Sequence, residues 1–393
     1  MRNLAEVCTI KSAETITYNN QVYTKVQKYS LNENAYEFVA QAGFTVGEKV
    51  IFIGEGAMIP ASNANFEFLR SKCFSPKWNM FRIKPQKMCG LISMGILMPM
   101  NIVDKDYKIG SDLTDTLAIQ KYEDMEDASP KKHENKIKSF LFHYFRPLAK
   151  LIWKSTVSEE FPTWLISKTD ETNIENCTED LEKYADSPYY VTGKMEGQSG
   201  SFVLDKKNKF YCCSRNCAYT KPVDNTFWTV AKKYGIEKIL KDYYKKNKEH
   251  LIIQGEICGP AIQRNIYKFN TLHLFVFNIK SIERNEYLSF EEIATFCLKN
   301  NLKMVPTVKF GIKLFDFVNK NNINTVRENI VEKFSFMPTN DDSVPSTEIS
   351  DSKIDNKKRF HMEGIVIRTK DQKFSCKFKS PQYALWFSGK DDE

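Results

Sequence analysis

The chain has 393 residues, of which 42% are hydrophobic and 27% are charged, and its formal net charge is +8. This length suffices for two or three domains, and the composition is that of a soluble globular protein. No apolar run is long enough to cross a membrane, and the N-terminal residues lack the apolar core of a signal peptide. The basic charge suits an anionic partner such as nucleic acid, but a solvated surface explains it equally well.

The ten cysteines form no CxxC pair, and the tightest group is Cys212, Cys213 and Cys217. No histidine lies near this group, so the spacing of a zinc site is not met. We therefore predict reduced, mostly buried thiols, which is the pattern of an intracellular protein.

Residues 1–125 have the pattern of an all-β domain. Residues 12–26 alternate in polarity, and Glu48–Ile53 is an apolar strand that ends at glycine. Further short strands are predicted at Phe81–Lys84 and at residues 90–95. Short strands separated by glycines are typical of a small barrel, and we predict an OB fold.

Residues 126–155 combine seven basic residues with several aromatic side chains and form a predicted linker. Such a mixture can bind single-stranded nucleic acid. An amphipathic connector that packs on a neighbouring domain would have the same composition. Both interpretations remain open.

Residues 156–393 are predicted to form an α+β domain. Residues 236–247 have apolar side chains at helical spacing, and Ser289 with Glu292 forms a predicted capping box that begins a helix. The polar segment 337–358 is predicted to be an exposed loop. Strands are predicted at residues 189–192, 201–204, 251–253, 272–279, 362–367 and 373–379.

The first candidate motif is Lys194-Met-Glu196-Gly197-Gln-Ser199, which lies between two predicted strands. Lys194 is therefore expected at a turn, where its side chain can meet a ligand. Lysine is nucleophilic only when neutral, and at its ordinary pKa only about one molecule in two thousand is neutral near pH 7. Nearby positive charge or a metal ion lowers that pKa. Taken alone, the motif is more typical of a turn with a solvated lysine.

The second motif, Gly255-Glu256-Ile-Cys-Gly259-Pro260, places a carboxylate near the end of a strand and before a turn. Such a carboxylate can hold sugar hydroxyls or the water shell of a magnesium ion. In the next predicted strand, Phe277 could stack on a base. Core packing is the simpler explanation for Phe277 taken alone.

Two further motifs lie near the end of the chain. Glu363 supplies a second carboxylate at the beginning of a strand, and Lys377 and Lys379 are two residues apart in another. Residues two apart share a strand face, so both ammonium groups point the same way and Phe378 points to the opposite face. The two lysines could bind phosphate and lower the pKa of a third lysine. Solvated strand edges are the alternative.

The order KxEG, SRN, GE…GP, FxVFNI, EGIV and KxK resembles the covalent nucleotidyltransferase superfamily of DNA ligases, RNA ligases and mRNA capping guanylyltransferases. GEICGPAIQRN and LFVFNI look most like the RNA ligase branch. The leading barrel and the segment KTDETNIEN are similar to Naegleria-type RNA ligases. The resemblance implies an OB-fold barrel over 1–125 and an ATP-grasp-like adenylyltransferase domain with antiparallel sheets over 156–393.

The resemblance also implies roles for individual residues. Lys194 would attack the α-phosphorus of ATP and carry AMP, and Arg215 would lie near the sugar and phosphates. Many members have aspartate in place of Glu196 and arginine or asparagine in place of Ser199. The implied nucleotide-binding residues are Lys194, Glu196, Gly197, Arg215, Glu256, Phe277, Glu363, Lys377 and Lys379.

The remaining implied roles concern the metal, the base and the phosphates. Glu256 and Glu363 would hold Mg²⁺ or Mn²⁺ through water, and Glu256 could also hold the ribose. Phe277 would stack on adenine. Lys377 and Lys379 would contact the α-phosphate.

The resemblance therefore implies an ATP-dependent RNA ligase that joins 3′-hydroxyl and 5′-phosphate ends through lysyl-AMP and RNA-adenylate, in RNA repair or nick sealing. Its partners would be RNA and ATP, with a monomer as the default. DNA ligases and capping guanylyltransferases are alternatives, but they usually place an OB domain after the last motif, where only residues 380–393 remain. A catalytically inactive nucleic-acid-binding protein is the alternative from another class.

Overall fold

A computed structural model describes residues 3–34, 36–122, 158–166, 171–219, 225–321, 323–326, 334–336, 347–349, 360–361 and 363–389. The predicted linker 126–155 and most of the predicted loop 337–358 lie outside these residues. Contacts divide the chain into two compact units. The first comprises Met1–His133, Thr172–Glu179 and Lys379–Glu393, and the second comprises Glu134–Glu171 and Asp180–Phe378.

The first unit is built on strands, as the sequence predicted. Its larger sheet is antiparallel, with strands in the order Gly95–Pro99, Lys49–Gly54, Ala5–Tyr18, Gln21–Leu31 and Glu37–Gln41. A second sheet has the order Gln120–Lys121, Ala57–Pro60, Met80–Arg82 and Phe74–Ser75, and a hairpin joins Gln86–Met88 to Leu91–Ser93.

Residues 12–26 contain a reversal that their alternating pattern did not reveal. Asn19 and Asn20 have φ angles of 51° and 61°, and Tyr18 pairs directly with Gln21 across the turn. Asparagine tolerates this left-handed conformation, which matches the twist of a two-residue hairpin. The segment is therefore the tip of a long hairpin.

The second unit contains an eight-stranded sheet and a smaller sheet. The large sheet has the order Ser158–Glu160, Cys217–Tyr219, Phe210–Cys213, Gln198–Leu204, Leu251–Cys258, His273–Ser281 and Glu286–Tyr287, with Lys303–Met304 parallel to His273–Ser281. In the smaller sheet, neighbouring strands follow the order Ser375–Lys379, Gly364–Thr369, Tyr189–Gly193 and Thr307–Gly311. Three short strands also pair, namely Thr347–Ile349, Phe334–Phe336 and Phe360–His361.

Helices cover one side of the large sheet. The predicted helix Ile236–Asn247 is confirmed, and it buries Ile236 and Leu240 in the same core as the strands. The preceding helix was not predicted from the sequence; it begins where the Asn225 side chain accepts the amide hydrogen of Trp228. The helices among the described residues are Arg70–Cys73, Thr178–Lys183, Thr226–Lys233, Ile236–Asn247, Phe290–Lys299, Leu314–Phe317, Ile323–Val326 and Pro381–Gly389, with 3₁₀ turns at Ala64–Leu69, Met100–Ile102 and Ile174–Asn176.

The capping box predicted for the helix Phe290–Lys299 is present. Ser289 Oγ accepts the amide hydrogen of Glu292, and the Glu292 carboxylate accepts the amide hydrogen of Ser289 at 2.7 Å. All ten cysteines are free thiols, and eight of them are buried. In the described part of the chain, no helix is both long and apolar enough to span a membrane.

Candidate active site

Lys194 and Glu363 meet at the ends of two paired strands of the second unit. The antiparallel pairing places Gly193 opposite Ile365, and the Lys194 amide donates to the Gly364 carbonyl at 2.9 Å. The next side chains along the two strands therefore lie together. Lys194 Nζ is 2.5 Å from Glu363 Oε1, and both side chains are mostly buried. The structure thus brings the predicted nucleophile and one predicted carboxylate into an ion pair.

Glu256 lies on the large sheet, and the charges of Lys194 and Glu363 affect its pKa. Its side chain is partly buried in the strand Leu251–Cys258. Burial raises the pKa of Glu256 to about 8; Lys194 and Arg215 lower it, while Glu363 and Glu171 raise it. Among these neighbours, Lys194, Arg215 and Glu363 were predicted site residues. Three carboxylates therefore lie near one another, and burial makes it costly for all of them to be charged.

Gly197 allows the chain after Lys194 to pack directly on the strand that carries Glu256. A Cβ atom at Gly197 would lie 2.6 Å from the Ile257 carbonyl oxygen, 2.7 Å from Glu256 Cγ and 2.9 Å from Cys258 Sγ. A backbone carbonyl cannot yield as a flexible side chain can. The glycine of the motif is therefore required for the close approach that sets the position of Glu256.

Glu196 is engaged with backbone amides. Its buried carboxylate accepts the amide hydrogens of Arg264 at 3.3 Å and Ile266 at 3.2 Å, and its own amide donates to the Tyr267 hydroxyl at 3.0 Å. The Cys258 thiol donates to the Glu196 carbonyl. In this structure Glu196 fixes the segment that carries Arg264, and its predicted role in nucleotide binding remains a prediction.

The segment held by Glu196 has an unusual backbone. Ala261, Gln263, Asn265 and Lys268 all have φ angles between 44° and 61°. Left-handed conformations are uncommon for residues other than glycine and require support from their surroundings. The Asn265 side chain supplies part of it by bonding both the amide and the carbonyl of Phe269.

Phe277 is half-buried on the strand His273–Ser281, and an ion pair lies beside its ring. The Arg368 guanidinium is 5.9 Å from the ring centroid; it donates to Glu171 at 2.6 Å and to the Thr192 hydroxyl at 3.2 Å. Sequence reasoning missed Arg368 and Glu171. Arginine inside the otherwise apolar strand Gly364–Thr369 was the available signal, because a buried charge needs a partner.

The other predicted phosphate ligands are Arg215, which lies in a loop, and Lys377 and Lys379, which lie in the last strand. Arg215 is partly buried, directly after the strand Phe210–Cys213. In the last strand Lys377 and Lys379 are partly buried and Phe378 is fully buried, so the predicted alternation of faces is present. Lys379 Nζ donates to Glu55 at 2.9 Å within the first unit.

The donor set fits a divalent cation that is held through water. Carboxylate oxygens are the ligands that Mg²⁺ prefers, and Mg²⁺ usually keeps several of its waters. In the described part of the chain, no three His, Cys, Asp or Glu side chains are arranged to bind a metal directly. Glu363 and Glu171 both raise the pKa of Glu256, so a bound cation would reduce the repulsion between these carboxylates.

Residues 187–381 match the family model described as RNA ligase. This segment contains Lys194, Arg215, Glu256 and Glu363 of the cluster and Lys377 of the last strand. The segment belongs to the RNA ligase family, and the predicted class of protein is confirmed.

Solved structures of an RNA ligase from Naegleria gruberi are similar over the whole chain. A lysine-to-methionine mutant with AMP and Mn has a TM-score of 0.74 at 20% identity, covering 98% of this chain and 99% of that one. The same ligase with PPi has a TM-score of 0.74 at 21% identity and 100% coverage of both chains. These likenesses confirm the predicted two-part fold. No curated protein sequence matches the chain.

Replacing Gly197 with Ala should disrupt the site while leaving the chain folded. The added Cβ atom would force the strand carrying Glu256 away from the chain after Lys194. We expect at least about a tenfold loss in the rate of covalent labelling by ATP, since small displacements of reacting groups are costly. Gly200→Ala is the matched control, because its Cβ atom would meet side chains and no backbone carbonyl, namely the movable end of Ile257 at 3.0 Å and Phe227 at 3.4 Å. Equal rates for both variants would contradict this account.

Breaking the ion pair beside Phe277 should destabilise the second unit. Arg368→Met leaves the mostly buried Glu171 carboxylate without its partner. We expect a loss of about 3 kcal/mol in the free energy of unfolding, measured by thermal or denaturant unfolding. The double variant Arg368→Met/Glu171→Gln should recover part of that loss. Losses that simply add would contradict direct pairing.

Replacing Glu256 with Gln should remove a pH dependence of stability. Burial raises the pKa of Glu256 from 4.5 to about 8, so in this range the folded protein keeps a proton that the unfolded chain has lost. The parent should therefore lose stability as pH rises, by at most about 1.4 kcal/mol per pH unit. The thermal midpoint of Glu256→Gln, relative to the parent, should rise across this range without metal or nucleotide.

The exposed Glu286 provides the control for this pH series, since Glu286→Gln should follow the parent at every pH. A midpoint difference between Glu256→Gln and the parent that stays constant with pH would mean that Glu256 is ionised throughout.

Proposed function

We propose that this RNA ligase is ATP-dependent and uses Lys194 as its nucleophile. Lys194 would take AMP from ATP and release pyrophosphate, the AMP would pass to an RNA 5′-phosphate, and a 3′-hydroxyl would then attack that adenylated end. The observation that supports this proposal is the pairing of Lys194 with Glu363 at 2.5 Å inside the segment that matches the family.

Glu363 has two uses in this scheme. Before ATP binds, its carboxylate holds the Lys194 ammonium group and so fixes the direction of Nζ. When Lys194 attacks, the amine must lose a proton, and an acceptor at hydrogen-bond distance is already in place. Nitrogen then forms a bond to the α-phosphorus while the bond to pyrophosphate breaks.

Glu256 and Glu363 would together hold a divalent metal ion through its waters. Mg²⁺ or Mn²⁺ bound there supplies positive charge to the phosphate oxygens during each transfer. The Naegleria gruberi ligase has been solved with ATP, AMP and Mn, which supports the same choice of nucleotide and metal here. Arg215, which already lowers the pKa of Glu256, would add further positive charge near the phosphates.

Phe277 would supply the stacking surface for adenine. Its ring is half-buried, and the Arg368 guanidinium lies 5.9 Å from the ring centroid. Gly197 and Glu196 would shape the same pocket, the first through close packing and the second through the segment that it fixes. Lys377 and Lys379 are proposed to contact the α-phosphate.

The substrate is proposed to be RNA, either a nicked duplex or free ends, in repair or nick sealing. The match to the RNA ligase family favours RNA over the DNA and cap substrates of related nucleotidyltransferases. Ten free thiols suit a reducing compartment, so we propose an intracellular enzyme, acting as a monomer.

Lys194→Ala should abolish covalent labelling of the protein. The parent, incubated with α-³²P-ATP and Mg²⁺ or Mn²⁺, should carry label through denaturing electrophoresis, whereas the variant should carry none. A variant of the exposed Lys299, on the helix Phe290–Lys299, should label as the parent does.

The choice of nucleotide tests the alternatives. Labelling by α-³²P-GTP in place of ATP would indicate a capping guanylyltransferase. Absence of label on the parent with every nucleotide and metal would contradict a covalent ligase and leave a nucleic-acid-binding protein.

A further inference from the structure

An ion pair in the first unit involves the last lysine of the motifs. Glu55 lies in the turn between the strands Lys49–Gly54 and Ala57–Pro60, and its Oε1 accepts a hydrogen bond from Lys379 Nζ at 2.9 Å. The side chains are 16% and 26% exposed, so neither swings freely in solvent. The segment Lys379–Glu393 belongs by its contacts to the same unit as Glu55.

The backbone on both sides of Glu55 is fixed. Its amide donates to the Met94 carbonyl at 2.8 Å, and the Gly56 amide donates to the Ile83 carbonyl at 3.0 Å. Gly56 has a φ of 86°, a conformation that glycine adopts without strain. The Glu55 carboxylate is therefore carried by a tight turn that is bonded to two other parts of the barrel.

The chain directly after Lys379 is also held in place. Ser380 is buried, its Oγ accepts the amide hydrogen of Tyr383, and the helix Pro381–Gly389 follows directly. The flexible stem of a lysine adopts many rotamers, and this freedom must be lost before the ammonium can bind an oxyanion in one geometry. A carboxylate at a fixed position can remove that freedom beforehand.

We propose that Glu55 is a positioning residue that orients the Lys379 ammonium for the α-phosphate. This inference rests on the proposed role of Lys379 in the ligase reaction. An ammonium group has three hydrogens, and one bond to Glu55 leaves others for phosphate oxygens. Glu55 itself touches no reacting atom. Partly exposed ion pairs contribute little to stability, so the pair should matter more for the reaction than for the fold.

The test compares Glu55→Gln with the parent, using the full chain. The rate constant for AMP transfer to Lys194 should fall by about tenfold at saturating ATP, since the lost orientation acts in the transition state. The KM for ATP should change by less than about twofold, and the thermal midpoint should stay close to that of the parent. Glu37→Gln is the matched control; it removes an ion pair of the same barrel, with Lys28, and should react as the parent does.

A double-mutant comparison separates positioning from a structural role. In a Lys379→Ala background, Glu55→Gln should cause less than about a twofold further loss, because its target is gone. In a Lys377→Ala background the loss should again be about tenfold. Unchanged transfer in Glu55→Gln, or an equal loss in both backgrounds, would overturn the inference. So would a lower thermal midpoint with an unchanged rate.

If the proposed ligase activity itself is wrong, the labelling experiments give a different result. A parent that accepts no AMP from ATP would contradict the ligase proposal itself. A parent that accepts AMP, with a Lys379→Ala variant that does so equally fast, would contradict the role of Lys379 and with it that of Glu55.

Discussion

The antiparallel register between the strands Tyr189–Gly193 and Gly364–Thr369 is the constraint on which the site depends. It brings together Lys194 and Glu363, which are 169 residues apart in the chain, at the point where both strands end. Side chains alternate along a strand, so a slip of one residue would send every side chain of that strand to the opposite face. Both strands are fully buried, which makes such a slip costly.

A crowded set of carboxylates follows from this arrangement. Burial raises the pKa of Glu256, and the nearby Glu363 and Glu171 raise it further, whereas Lys194 and Arg215 lower it. The raised pKa favours a proton on the Glu256 carboxyl, and such a proton reduces the repulsion. Any cation that enters must compete with that proton, so its binding and pH are linked.

Local patterns in the sequence predicted the motif residues, the helix Ile236–Asn247 and the capping box at Ser289, because each depends on spacing within a few residues. The pairing of Arg368 with Glu171 depends on segments 197 residues apart, and no local pattern encodes it. The engagement of Glu196 also escaped prediction. Its partners are backbone amides, which carry no residue-type signal. The reversal at Asn19 and Asn20 was hidden because alternation continues through a two-residue turn.

The division of the chain into units bears on how the protein is made. The first unit takes its residues from three separate stretches, and the second is inserted between them. Ala384, close to the end of the chain, packs in the same core as Cys8 and Phe52. The barrel strands leave the ribosome before the inserted unit, yet the core that they share is completed only when the helix Pro381–Gly389 emerges. The core of the unit whose strands are translated earlier is therefore completed only after the inserted unit has been translated.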